Sequence, residues 1–340
     1  MSAMMKFVLI ALVSSSSIVE SKYVDYVKLF KQFMIQYDKS YDTYEEEVYR
    51  EQVFIDNYKL IKEHNKDLSH NFKLEMNEFM DQYSYEMTRG YVPSLNEYLR
   101  KTRSCQEFGN DITCPEVDNL PYEVDWRLHD AVTPVKNQGQ CGSCWSFSAT
   151  GAMEGAWSLT NGELVSFSEQ QLMDCSKLYG DMGCNGGLMD SAFRYAIDNG
   201  MCQEEQQPYE AVRGTCKDVT CDKNYEFEEC YDVEPLNQYA LKVAVSKQPV
   251  SVAIQADKPI FQFYSSGVID SDSCGTNLDH GVLIVGYGTE EGIDYWLVKN
   301  SWGTEWGDEG YVKIARNDNA TSAGICGIAS TPSFVVASKV

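Results

Sequence analysis

The stretch Cys141-Gly142-Ser143-Cys144-Trp145 constrains this 340-residue chain more than any other. It sets a cysteine just ahead of a helix-patterned segment, Trp145 to Leu159, that closes at Asn161-Gly162. A thiol at a helix N-terminus feels the positive end of the helix dipole, which favours thiolate over thiol. Thiolate is the nucleophilic form, so this arrangement can make Cys144 reactive.

A thiolate nucleophile needs a base or an imidazolium partner. The chain has four histidines: His64, His70, His129 and His280. The first two lie in an upstream segment read below as removed. His129 sits in Arg127-Leu128-His129-Asp130, a polar stretch of turn-like composition, and reads as an exposed loop residue. His280 opens an apolar run, Val282 to Val285, that ends in Gly286-Tyr287-Gly288 and reads as a buried strand. A polar side chain at the head of such a strand can be aimed into a cleft, so His280 is the expected partner. A third group should hold the imidazole in its useful tautomer. Asn300 suits that role, because an amide oxygen accepts from the ring N–H without adding a second negative charge. Trp302 can shield that hydrogen bond from water and so strengthen it. Taken singly, Asn300 suits a turn and Trp302 a core; their order and neighbourhood favour a site.

From about Leu120 onward the chain resembles papain-family cysteine proteases of the cathepsin L type. The matching blocks are Val124 to Arg127, Val132 to Gly139, Cys141 to Phe147, Gly183 to Asp190, Leu278 to Gly281 and Lys299 to Gly303, in family order. The string from Cys141 to Trp145 is itself a recognised signature of the papain and cathepsin nucleophile. The resemblance implies catalytic Cys144, His280 and Asn300, with Gln138 donating its side-chain amide to an oxyanion hole beside the Cys144 backbone N–H. Gln138 also stands in a Gly-flanked loop just before the nucleophile, where such a donor can converge on a developing oxyanion. By family position, Leu188, Met189, Ala253, Leu278, Gly281 and Thr331 line the pocket for the second residue before the scissile bond (P2). Gly186, Gly187, Asp279 and Trp302 complete the substrate-binding set. The pocket is apolar with a neutral floor at Thr331, which implies Leu or Phe at P2 and poor acceptance of Arg. On composition alone, Leu188 and Met189 would equally serve as core.

The upstream segment fits the same resemblance. Glu46, Arg50, Phe54, Asn57, Ile61 and Asn65 recur at three- and four-residue steps, along one helix stripe. Thr43 and Glu46 form a capping box at its start. Tyr26, Phe30, Phe33 and Tyr37 share helical spacing, and Phe72, Leu74 and Met76 alternate like a strand. The six-residue stripe is similar to that of the inhibitory propeptide of cathepsin L-like zymogens. Asn77, Phe79 and Asp81 match a second propeptide motif, with Glu75 where a glycine is usual. The implied organisation is a signal peptide at 1–21, an inhibitory propeptide at 22–119 and a peptidase domain at 120–340. The implied fold is α+β: a papain-like two-lobed body, one lobe helical and one β-barrel-like, preceded by a helical propeptide. Helix patterns within 130–225 and strand patterns within 230–325 agree with that segregation.

Residues 1–21 carry Lys6, the apolar stretch Phe7–Val13 and a Ser-rich tail, which reads as a signal peptide too short to span a membrane. No other long apolar run suggests a membrane anchor. The destination expected is an acidic endolysosomal compartment or the extracellular space, and the protein is expected to be monomeric. Asn319-Ala320-Thr321 is a glycosylation sequon. Net charge is −23. Residues 120–340 hold 14 basic against 31 acidic residues, and residues 22–119 hold 13 against 19. Nucleic acid and anionic membranes are therefore excluded as natural partners. Polypeptide substrates and the chain's own propeptide remain. Protonation of carboxylates as pH falls through about 4 offers an acid trigger for processing.

Twelve cysteines in a secretory chain imply disulfides. The resemblance pairs Cys141 with Cys184, Cys175 with Cys216 and Cys274 with Cys326, and leaves Cys144 free. Cys105, Cys114, Cys202, Cys221 and Cys230 remain, and their pairing stays open. Cys105 and Cys114 are placed to bridge each other; alternatively one bonds a mature-domain cysteine and tethers a propeptide fragment. Such a fragment would favour aminopeptidase action, as in cathepsin H. The absence of a His-rich insertion like the occluding loop of cathepsin B favours endopeptidase action. A thiol–disulfide oxidoreductase built on Cys141-x-x-Cys144 lacks a preceding βαβ pattern and leaves Gln138, His280 and Asn300 unexplained. The cysteines and histidines lack ordered zinc-ligand spacing, and neither metal nor cofactor is expected.

Overall fold

Thr43 caps a long helix, its hydroxyl accepting the Glu46 N–H at 3.1 Å, while the Glu46 carboxylate faces Arg50 at 3.8 Å. The computed structural model describes residues 26–87, 90–94, 105–109, 119–216, 221–222, 224–317 and 321–340. The expected signal peptide, Cys114 and Asn319 lie outside them. The described residues form two compact units, one running to Asp67 with Met76–Tyr83, the other Leu68–Glu75 with Ser84–Val340.

In the first unit, helix α1 (residues 26–36) packs on helix α2 (Tyr44–Lys66) through buried Phe30, Phe33 and Phe54, with ring centroids 5.2–6.2 Å apart. The polar members of the α2 stripe have a separate task. Asn57 Nδ2 donates to the carbonyls of Met80 (3.0 Å) and Gln82 (2.9 Å), and Arg50 Nη1 to that of Asp81 (3.0 Å). The buried Asp81 carboxylate accepts from Tyr41 Oη (2.9 Å) and Lys39 Nζ (3.3 Å). A buried amide in a helix stripe is tolerated here because it satisfies two turn carbonyls at once. The stripe and the Asn77-Phe79-Asp81 motif are thus two halves of one contact.

The second unit is built on helix α3 (Cys144–Asn161), fifteen of whose eighteen residues are buried. It is buried on nearly all sides, and its buried polar side chains are paired, Ser148 with the Val282 carbonyl, Thr150 with Glu169 and Glu154 with Lys136. Helices α4 (Glu169–Cys175) and α5 (Met189–Asn199) lie in the same half of the chain; α6 (Gln238–Val245) falls among the strands. The strands are β1 (Phe72–Leu74), β2 (Gln106–Phe108), β3 (Val124–Asp125), β4 (Phe227–Val233), β5 (Val250–Ile254), β6 (Tyr264–Ile269), β7 (His280–Glu290), β8 (Ile293–Lys299), β9 (Tyr311–Ala315) and β10 (Ser333–Ala337). Their order is β1-β6-β9-β8-β7-β5-β10-β4-β2, with β3 paired to β7.

Two features depart from the sequence reading. The run from His280 does not end at Gly286-Tyr287-Gly288 but continues to Glu290, turns at Glu291-Gly292 (φ 51° and 83°), and returns as β8. Gly286 marks close approach instead: a Cβ there would lie 2.0 Å from the Val124 carbonyl oxygen of β3. The second is that upstream strands enter the sheet. Phe72 and Leu74 are buried and pair antiparallel with β6, while Met76 lies exposed beyond the strand. Strand β2 runs parallel to β4 at the far edge. The boundary expected at 119/120 is therefore not a boundary of packing.

The structure joins Cys141 to Cys184, Cys175 to Cys216 and Cys274 to Cys326, and also Cys202 to Cys221. Cys105 does not bridge Cys114. It bonds Cys230, because the parallel β2–β4 pairing brings their Cα atoms to 5.0 Å. His129 is exposed at the end of the 3₁₀ turn Trp126–His129, its ring 5.6 Å from that of Trp126.

Candidate active site

Cys144 is the first residue of α3 and is completely buried. Its Sγ accepts the Gly281 N–H at 3.2 Å, across 137 residues of sequence. Gly281 follows His280, the first residue of β7. Asn300 follows β8, and the antiparallel β7–β8 pairing (Leu283 with Lys299) returns it beside His280. The contact is direct, His280 Nε2 to Asn300 Oδ1 at 2.7 Å, and the same oxygen accepts the Ser301 N–H at 2.8 Å. Both side chains are buried. The Trp302 ring lies 4.8 Å from the His280 ring, so the hydrogen bond sits away from water. Phe261, 5.5 Å from Trp302, and Trp306, 5.3 Å from it, extend this aromatic cover. Sequence reasoning missed both, although the four-residue spacing of Trp306 from Trp302 was a usable signal.

Gln138 is locked from three sides. Its N–H donates to the Ser301 carbonyl (2.8 Å), its Oε1 accepts from Ser301 Oγ (2.7 Å), and its Nε2 donates to the Cys141 carbonyl (3.0 Å). An amide nitrogen carries two hydrogens, so this geometry aims the second without using it. Ser143 precedes α3, yet its hydroxyl bonds Tyr209 Oη (2.5 Å) rather than capping the helix.

Residues Gly90 to Val92 run over this site. The Gly187 N–H donates to the Gly90 carbonyl (2.9 Å) and the Tyr91 N–H to the Asp279 carbonyl (3.1 Å), with Tyr91 paired parallel to Gly187. A Cβ on Gly90 would stand 2.0 Å from the Gly142 oxygen, and one on Gly186 would stand 2.4 Å from Val92 Cγ2. Only glycine admits so close an approach. The Tyr91 side chain is buried in one apolar cluster with Leu188, Met189 and Ala253, with Leu278 packed against it. Its hydroxyl donates to Thr331 Oγ1 at 3.1 Å. Gly281 leaves its room to Met189, whose sulfur would lie 3.2 Å from a Cβ there. Leu188, Met189 and Ala253 thus share one buried cluster with Tyr91, whose hydroxyl reaches Thr331. Asp181, unnoticed in the sequence, braces the strip by accepting the Leu188 N–H (2.9 Å); burial pushes its carboxyl up to about 7.

Under this cover burial pushes the Cys144 thiol up to about 12, against the lowering pull of N–H donors from Gly281, Gly90 and Trp145. The closed site therefore holds a thiol, not the thiolate that the helix dipole alone would favour.

Behind the site lies a buried charge cluster that motif reading did not find. Lys136 Nζ contacts Glu154 (2.9 Å) and Glu169 (2.6 Å). Thr133 donates to Glu154 (2.6 Å), Thr150 to Glu169 (2.5 Å), and Lys299 Nζ to the Thr133 carbonyl (2.7 Å). Burial opposes charge on Lys136, but the two carboxylates outweigh it and hold its pKa above the usual range. Burial raises Glu169 to about 7, aided by Glu154 and Glu204 and opposed by Lys136, and lowers Lys299 to about 8. Lys299 directly precedes Asn300, and a 20 Å³ cavity touches both clusters, lined by Glu154, Glu169, Lys299, Asn300 and Ser301.

Residues 120–336 match the family model for papain family cysteine proteases, and residues 30–87 match that for the cathepsin propeptide inhibitor domain. The chain belongs to the papain family. Among its relatives is a cathepsin L-like peptidase of Aedes aegypti, 47% identical over 89% of this chain and 91% of that protein. Another is cathepsin L of Sarcophaga peregrina, 42% identical over 97% of this chain and 99% of that one. A solved digestive procathepsin L 3 from Tenebrio molitor larval midgut superposes with a TM-score of 0.79 at 39% identity, covering 92% of this chain and 99% of that structure. This papain-family member is accordingly a cathepsin L-like cysteine protease bearing a propeptide inhibitor domain. Among the described residues, no helix is long and apolar enough to cross a membrane.

Proposed function

We propose that the mature protein is an endopeptidase in which Cys144 attacks the peptide carbonyl, His280 moves the protons, Asn300 orients His280, and Gln138 stabilises the oxyanion. The observation that carries this reading is the convergence of Cys144, His280 and Asn300, tied by the 3.2 Å Gly281–Cys144 and 2.7 Å His280–Asn300 contacts. Because His280 Nε2 is engaged by Asn300, the proton exchanged with Cys144 is assigned to Nδ1. Once residues 90–92 leave, Cys144 regains solvent and the helix dipole, and its proton passes to His280. The thiolate adds to the carbonyl carbon; the oxyanion takes hydrogen bonds from Gln138 Nε2 and the Cys144 N–H. Collapse breaks the C–N bond as His280 protonates the leaving amine. Water then adds to the thioester carbon, giving a proton to His280, and collapse breaks the C–S bond, which releases the carboxylic product and restores the Cys144 thiolate beside protonated His280.

The same reading extends to the substrate. Tyr91 shares a buried cluster with Leu188, Met189 and Ala253 and bonds Thr331, which supports Leu or an aromatic residue at P2 in a pocket of Leu188, Met189, Ala253, Leu278, Gly281 and Thr331. No described side chain assigned to that pocket is acidic, so Arg there finds no partner. Residues 22–119 act as the chain's own inhibitor, and the working compartment is acidic endolysosomal or extracellular. Replacing Cys144 by Ala in processed protein should abolish turnover in a peptide-library assay, while the unsubstituted enzyme cleaves internal bonds that have Phe or Leu at P2. Retained hydrolysis in the variant ends the assignment of Cys144, and faster cleavage at P2 Arg than at P2 Phe ends that of the pocket.

A further inference from the structure

We infer that a short propeptide strand is never released: after the chain is cut near Leu120, residues around Gln106–Phe108 stay bonded to the peptidase as a permanent edge of its sheet. This rests on the reading of residues 22–119 as a removed propeptide. Hydrolysis of peptide bonds on either side of Cys105 leaves the Cys105–Cys230 sulfur link untouched, and that link spans 125 residues across the expected cut.

Three independent features make β2 part of the enzyme's body. It pairs in register with β4, Gln106 with Tyr231, Glu107 with Asp232 and Phe108 with Val233, and the Glu234 N–H continues the ladder to the Phe108 carbonyl at 2.8 Å. The Phe108 ring stands edge-on to Phe334 at 5.3 Å and to Tyr231 at 6.4 Å, with Lys247 Nζ 5.0 Å above it. Without Phe108, Phe334 and the β4 edge would face water. The link itself is guarded. Cys105 and Cys230 are each only 5% exposed, and carboxylate oxygens of Asp190 and Asp232 lie within 4.8 Å of the Cys105 sulfur. An attacking thiolate meets both steric exclusion and like charge there. That sulfur is spent in the disulfide, so the Cys105-Asp190-Asp232 cluster is not a metal site.

In the sheet β2 lies four strands from β7, on the order of 19 Å at the usual strand spacing. The retained strand is therefore structural and does not plug the reacting centre. Purified full-length zymogen should be activated both by acid and by an added protease, then weighed by denaturing mass spectrometry with and without reductant. A peptide containing Cys105 should appear only after reduction, with a Cys105–Cys230 cross-link in the unreduced digest, and should survive incubation of the folded enzyme with glutathione. A mature chain lacking that peptide, a Cys230 bonded elsewhere, or release by glutathione overturns the inference. The activated Cys105→Ser, Cys230→Ser double variant should shed the strand and melt about 5 °C lower than activated unsubstituted protein; equal melting overturns the structural role. Cleavage by the added protease but not by acid would count against the peptidase reading alone.

Discussion

Cys144 is under two opposing influences, and which of them wins depends on the covering segment. Position at the start of α3 favours thiolate, while complete burial beneath Gly90 and Tyr91 pushes the thiol up to about 12. A thiol raised that far is almost wholly protonated at neutral pH. Alkylation of Cys144 by iodoacetamide, followed by mass spectrometry at pH 7, should be at least about 100-fold slower in the zymogen than in processed enzyme. Equal rates would mean that the cover does not control the sulfur. Thr331 makes a narrower demand. Its hydroxyl accepts a hydrogen bond from Tyr91 Oη, so a Tyr at P2 should gain what Phe cannot. Thr331→Val should lower kcat/KM for P2 Tyr by roughly threefold to tenfold and leave P2 Phe nearly unchanged, as befits one neutral hydrogen bond. Cys144, His280, Asn300 and Gln138 were legible because each sits in a short motif whose chemistry needs that residue type. Asp181 and Phe261 were not, since a lone Asp or Phe carries no local pattern and acquires its place only when distant segments meet.

At the level of elements, the buried cluster couples the α3 and α4 side chains Glu154 and Glu169 to the loop lysine Lys136 and to Lys299 at the end of β8. Glu169, raised to about 7 from an ordinary 4.5, binds its proton more readily folded than unfolded. Its contribution to stability is complete below about pH 4.5 and is lost as pH climbs through 7. Glu169→Gln is neutral at every pH and nearly the same shape. It should flatten the fall in stability between pH 4.5 and 7, worth roughly 1–3 kcal/mol, in thermal melts at several pH values. An unchanged slope would show that the proton resides elsewhere. The elements themselves were mostly readable. Trp145–Leu159 and Leu188–Asn199 emerged as α3 and α5 within about two residues at either end, because apolar spacing and terminal glycines act locally. Strand ends were less readable: Gly286 resembles a stop in one dimension and is a strand crossing in three. The β2–β4 pairing was beyond reach, since Gln106-Glu107-Phe108 has no apolar alternation and is held by a partner 125 residues away.

At the scale of the whole molecule, the sheet of the zymogen is longer than the segment from Leu120 onward can make alone. Strand β1 closes one end on β6, and β2 closes the other on β4. The two ends differ in how they are fastened. Strand β2 has a disulfide, whereas β1 is held by pairing with Ser266 and Gly267 and by the side chains of Phe72 and Leu74, each at most 1% exposed. Processing that removes residues up to about 94 therefore strips β1 and the cleft cover together, while β2 remains. Burying two large apolar side chains contributes about 3–6 kcal/mol. For a domain of this size each kcal/mol shifts the midpoint by about 2–4 °C. Calorimetry at pH 6 should thus find the zymogen melting about 10 °C above the processed enzyme. Phe72→Ala should cost the zymogen about 3–5 kcal/mol yet leave the processed enzyme untouched, because that side chain is gone from it. If zymogen and processed enzyme melt together, β1 contributes nothing, and the upstream chain serves only to cover the cleft.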